Sequence, residues 1–167
     1  MPSMQLLRTL KMTAAALAVA LLAACGGGDD DPLPGDPSSD PVAKYVGSWL
    51  SRCVSDSGAS AHVRADFRKV SPTGLSGDVI AYAYVGTSCS GPSVRDRKVL
   101  TNLNLTLVGP TTVSGLAAER FSGSADQGNG KVVLSVSGNQ LRIGDPDEGK
   151  DAEGYPTSFF DEVLNRL

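Results

Sequence analysis

The sequence predicts an all-β fold: an antiparallel up-and-down β-barrel of about seven to eight strands with a short C-terminal helix, a two-sheet β-sandwich being the alternative. Three observations predict it. Apolar and polar residues alternate with period two in run after run, the spacing of a strand with one dry face. Turn signals separate the runs by one strand length. Nineteen glycines and ten prolines among 167 residues disfavour long helices.

From the N-terminus, residues 1–24 read as a lipoprotein signal peptide that takes no part in the fold. Arg8 and Lys11 form its basic start, and Met12 to Ala24 is an uncharged apolar run of thirteen residues. A membrane-spanning helix needs roughly twenty. Leu22-Ala23-Ala24-Cys25 then resembles the lipobox of bacterial lipoproteins, in which cleavage precedes a cysteine that takes up diacylglycerol and N-acyl chains. The resemblance implies lipidation of Cys25, with the membrane as partner through the lipid anchor. At roughly 0.8 kcal/mol per buried methylene, three acyl chains hold a protein firmly to a bilayer. Gly26, where inner-membrane cargo carries Asp, implies the outer membrane, with the domain facing the periplasm. Residues 25–41 continue as a Gly-, Asp-, Pro- and Ser-rich tether with too little apolar surface to order itself.

The domain is expected over residues 42–167. Its first strand opens at Gly47-Ser48-Trp49; then Ala61, Val63, Ala65 and Phe67 alternate with His62, Arg64, Asp66 and Arg68. The rhythm recurs at Val79 to Val85, Leu103 to Leu107 and Val132 to Val136. Turns are expected at Ser71-Pro72-Thr73-Gly74, Gly91-Pro92, Gly109-Pro110, Gly128-Asn129-Gly130 and Gly138-Asn139. After Pro156, the residues Phe159, Phe160, Val163, Leu164 and Leu167 fall at helical spacing, with Ser158 and Asp161 as a capping box.

Gly47-x-Trp49 is similar to the motif that begins the first strand of lipocalins and related calycin barrels. The resemblance implies that Trp49 closes one end of the barrel and that a basic residue of a late strand packs across it. Arg142 is the expected partner. The domain is shorter than a typical lipocalin and has no second or third lipocalin motif. Gly47-x-Trp49, Cys53, Cys89, Gly144-Asp145 and Gly154-Tyr155-Pro156 together also resemble small envelope lipoproteins of proteobacteria, a likeness that implies no activity.

With Cys25 lipidated, Cys53 and Cys89 remain in an oxidising compartment, where a disulfide is the economical reading and a reactive or metal-binding pair the alternative. Residues 42–144 hold eleven basic and six acidic side chains, whereas residues 145–167 hold two and seven, so a basic body carries an acidic end. Nucleic acid is excluded as a partner by the export signal and by the lack of a stacking pattern among the few aromatics. Catalytic constellations fail as well. His62 is the single histidine, expected on the solvent face, and no G-x-S-x-G elbow accompanies it. Gly128-Asn129-Gly130-Lys131 lacks the flanking residues of a phosphate loop, and the carboxylates from Asp145 to Glu153 lack the glycine and terminal glutamate of a calcium loop. The expectation is therefore a non-enzyme without cofactor or metal. The expected role is an interaction or structural module that docks an envelope protein partner; the alternative is a carrier of a small apolar ligand, with Ala61, Ala65, Ala81 and Ala83 leaving room inside the barrel.

Overall fold

Strands that alternate apolar and polar side chains bury one face only if the sheet packs on something, and here the sheet closes on itself. The computed structural model of the protein describes residues 40–93 and 95–167. Residues 1–39, which include the expected signal peptide, Cys25 and most of the expected tether, lie outside the described residues. The strands are β1 (Gly47–Ser51), β2 (Val54–Asp56), β3 (Ala59–Ser71), β4 (Gly74–Val85), β5 (Arg95–Val113), β6 (Leu116–Ala125), β7 (Gly128–Ser137), β8 (Gln140–Ile143) and β9 (Leu164–Arg166). Their hydrogen-bonded order runs β1-β9-β8-β7-β6-β5-β4-β3, and β3 pairs again with β1. That makes a closed, antiparallel barrel of eight strands, with β2 paired on the far part of β3 outside the ring. The barrel prevails over the sandwich because closure leaves no unpaired edge.

Register fixes which residues face inward. Trp49 stands opposite Ala65, Phe67 opposite Gly77, Leu105 opposite Leu75 and Gly123, Phe121 opposite Val132, and Leu141 opposite Leu164. Trp49, Phe67 and Leu105 thus each face a small residue, whereas leucines meet at Leu75–Leu105 and Leu141–Leu164. Tyr45, Trp49, Leu75, Phe121 and Leu141 are fully buried, each worth roughly 1.5–3 kcal/mol of burial. A second, smaller cluster lies outside the barrel wall, where Tyr155 covers Val113, Ala118 and Val133.

Two turn signals mark something other than a turn. Gly109-Pro110 lies within β5, beside an irregularity in its pairing with β6, where a proline is tolerated. The chain reverses instead at Ser114-Gly115, both at positive φ (50° and 78°), the geometry of a tight hairpin. Gly128-Asn129-Gly130 is the start of β7, and the reversal falls at Asp126-Gln127 just before it. Further along β5, Thr101 and Asn102 bulge out of the ladder, and Asn102 adopts a φ of 53° that asparagine tolerates. The Asp126 carboxylate accepts from the Thr101 hydroxyl (2.6 Å) and the Asn102 amide (2.8 Å), tying the bulge to the β6–β7 turn.

The C-terminal helix is absent. Residues 144–163 run without a regular element, and Leu164–Arg166 form β9 between β1 and β8. The apolar stripe that suggested a helix does not share one buried face: Leu164 is buried, whereas Phe160 and Leu167 are exposed. Nucleating a helix in so few residues is costly, and a strand at this place pairs the otherwise open edges of β1 and β8.

Candidate ligand-binding cavity

The barrel is filled at one end and hollow at the other. At the filled end a short 3-10 turn, Ala43–Tyr45, lies across the opening. Asp40 starts it by accepting from the Ala43 N–H (3.1 Å), and its ion pair with Lys69 holds the Asp40 carboxyl below its ordinary pKa. The turn pushes Tyr45 inward, edge-on to Phe121 with ring centres 5.4 Å apart. The Trp49 indole N–H donates to the Tyr45 carbonyl (2.9 Å). The Tyr45 hydroxyl donates to the Glu119 carboxylate and lies 3.0 Å from the Leu134 carbonyl oxygen. Burial, reinforced by the Glu119 charge, raises the Tyr45 pKa well above its usual value and keeps the hydroxyl a donor. Lys44 pairs with the other Glu119 oxygen at 2.5 Å.

The guanidinium over the Trp49 ring belongs to Arg166, 4.1 Å from the ring centre. It also donates to the carbonyls of Val46 (2.6 Å) and Lys44 (2.7 Å), stitching the C-terminal strand to the 3-10 turn. Arg142, the expected partner, is one residue out of phase: its neighbours Leu141 and Ile143 face the core, so its own side chain points away from Trp49. Gly47 follows from the same arrangement. Its φ is +130°, and a Cβ there would come within 2.8 Å of the Arg166 guanidinium.

Above this plug a cavity of about 750 Å³ opens, with Phe67, Leu103, Leu105 and Leu134 toward its floor and Val63, Val79, Val132 and Ile143 among its walls. Ala65 lies under Trp49, and the cavity walls do not include Ala61, Ala81 or Ala83. The segment after β8 forms the rim with Asp145, Pro146 and Glu148, then returns with Phe159, Phe160, Asp161 and Glu162 before entering β9. Several contacts hold this segment in place. Gly144 pairs with Phe159, and a Cβ on Gly144 would meet Pro156 at 2.9 Å. Arg120 reaches out from β6 to Asp151 (2.7 Å) and Glu153 (3.1 Å). The Tyr155 backbone N–H, followed by that of Glu153, donates to Asp151 (2.9 Å each) and lowers its pKa. Part of the acidic C-terminal stretch is therefore folded onto the barrel wall.

Cys53 and Cys89 form a disulfide that joins the β1–β2 and β4–β5 connections on the hollow side. His62 is half-buried between Tyr82 and Tyr84 on the outer wall, with Nε2 3.3 Å from the Tyr84 hydroxyl, rather than exposed. Among the described residues no cluster of three or more His, Cys, Asp or Glu could hold a metal ion, and no helix is long and apolar enough to cross a membrane. The rim and its carboxylates were missed as parts of a site because nothing in a loop's composition says that it will cap a lumen. Compared with known protein families, curated proteins and solved structures, the chain matches none.

Proposed function

We propose that this protein is a lipid-anchored carrier of a small apolar ligand in the cell envelope, without catalytic activity. The cavity carries the reading: about 750 Å³ with apolar walls lies within the range of small-molecule sites. An eight-stranded barrel has an interior that side chains just fill or that holds one small ligand. Here side chains fill one end, and the cavity occupies the other. The lipobox Leu22-Ala23-Ala24-Cys25 supports anchoring to the outer membrane on its periplasmic side. Gly47-x-Trp49 beneath a cationic side chain supports a lipocalin-like reading of the closed end. The other reading, a module docking an envelope protein through its acidic end, is weakened by Arg120, which ties down Asp151 and Glu153.

The test is mass spectrometry of residues 26–167 exported behind a cleavable leader and purified without detergent. A stoichiometric adduct present under native conditions and lost on denaturation is expected. A bare mass that persists after exposure to envelope lipid extract sinks the carrier reading and favours the docking module.

A further inference from the structure

The barrel wall does not stop at the cavity mouth. β2, the first residues of β3 and the last of β4 run on past Val63, the cavity-lining residue paired with Ala81. Register carries the inward face out with them: Val54 stands opposite Ala61, Ala61 opposite Ala83, and Ala59 opposite Val85. All five side chains are apolar. Val54, Ala59, Ala61 and Val85 are exposed, Val85 at 78%. The opposite face of the same strands is the covered one. There the Cys89 N–H donates to the Ser60 hydroxyl (2.9 Å), Ser60 is buried, and Tyr82 and Tyr84 pack about His62. A sheet normally buries its apolar face and wets the other; an extension that does the reverse presents a surface for an apolar partner.

Resting on the anchoring reading, we propose that this face docks on a lipid bilayer and holds the cavity mouth against the membrane. The chain ahead of the barrel argues for that occupant. Cys25, the expected acylated residue, precedes Asp40 by fifteen positions, a span of at most about 50 Å. The thirteen residues of β3 run about 40 Å. A tether that joins the barrel at the filled end, where Asp40 pairs with Lys69, therefore reaches far enough for the hollow end to lie against the same bilayer. An apolar ligand then passes between acyl chains and lumen over Val54, Ala61 and Ala83 without being exposed to water.

The test is cosedimentation of residues 26–167, a chain that keeps the whole described barrel, with vesicles of phosphatidylcholine and phosphatidylethanolamine at low and high salt. Without Cys25 the pelleting reports the domain alone. Pelleting that persists at high salt is expected, because apolar burial is not screened. Val54→Asp/Val85→Asp should lower the partition coefficient roughly tenfold, about what withdrawing one valine from an apolar phase is worth. Val70→Asp/Val108→Asp, on exposed valines toward the filled end, should leave it unchanged. Thermal unfolding checks that each variant is folded, and Ala59→Asp at a single exposed position repeats the test should the first pair unfold. Absence of pelleting, its loss at high salt, a coefficient unchanged in Val54→Asp/Val85→Asp, or an equal loss in Val70→Asp/Val108→Asp overturns the inference. So does a dimer in solution that Val54→Asp/Val85→Asp dissociates, since a second copy then covers the face. The acyl mass on Cys25 of the exported chain and the adduct mass test the anchor and the carrier separately, so either can fail without the other result changing.

Discussion

The two ends of the barrel are built from the same alternating strands and differ in what crosses them. At the filled end a 3-10 turn carries Tyr45 inward, Trp49 lies beneath it, and Arg166 from the opposite terminus of the domain covers the indole. At the hollow end Phe159 and Phe160 line the cavity, and the irregular segment that carries them crosses the rim and is tied to the outer wall. One end therefore stores the stability, and the other leaves unfilled volume, which forfeits packing energy unless a ligand occupies it. Alternation sets the wall, whereas the crossing segments decide whether the inside is core or site.

The largest effect is expected at Trp49. Trp49→Ala empties the filled end and is expected to cost about 3–5 kcal/mol in urea unfolding; a loss below about 1 kcal/mol would mean that the plug is not the stabilising end. At the hollow end, Cys53→Ser/Cys89→Ser opens a loop of sequence separation 36 and is expected to cost about 3–4 kcal/mol on the chain-entropy account. The same unfolding curves check it, and the cavity should survive because the disulfide lies outside it. Arg166→Met removes two hydrogen bonds to carbonyls and the stacked cation, an expected loss of about 2 kcal/mol.

Acid acts on the segment that crosses the hollow end. The folded state holds the Asp151 carboxyl below its ordinary pKa, chiefly through the Tyr155 N–H. Its contribution is therefore present above the unfolded value, near pH 4, and is lost as pH falls through the lower folded one. Thermal unfolding followed between neutral and acidic pH should show a shallower low-pH decline in Asp151→Asn. The residual decline belongs to Asp66, whose burial is outweighed by hydrogen bonds from Arg64 and Ser48, and to Asp40. An unchanged profile would detach the segment's docking from this carboxylate. The smallest effect is expected of Arg142→Met, within about 0.5 kcal/mol; a loss matching that of Arg166→Met would contradict the placement of the closing arginine.

Much of the wall was legible. The runs at Ala61 to Phe67, Val79 to Val85, Leu103 to Leu107 and Val132 to Val136 all lie in strands because period two reports directly which face is dry. The disulfide was legible because two cysteines remain once one is assigned to the lipid. Arg142 was misassigned because a motif names a partner by type, and only inward or outward phase chooses between Arg142 and Arg166. The C-terminal stripe misled in a similar way. Spacing of three and four residues over a dozen positions does not distinguish a helix from a loop that touches the core at Phe159 and again at Leu164.

By itself the sequence determined the all-β class, the alternation of inward and outward residues, the disulfide and the expectation of a lipid anchor, because each is written in local spacing or in a short motif. The tertiary structure decided the closure by β9, the plug of Tyr45, Trp49 and Arg166, and the apolar cavity beneath an acidic rim. These depend on residues about 120 positions apart, such as Val46 and Arg166, meeting in space, and no local pattern encodes the side on which two distant segments will cross.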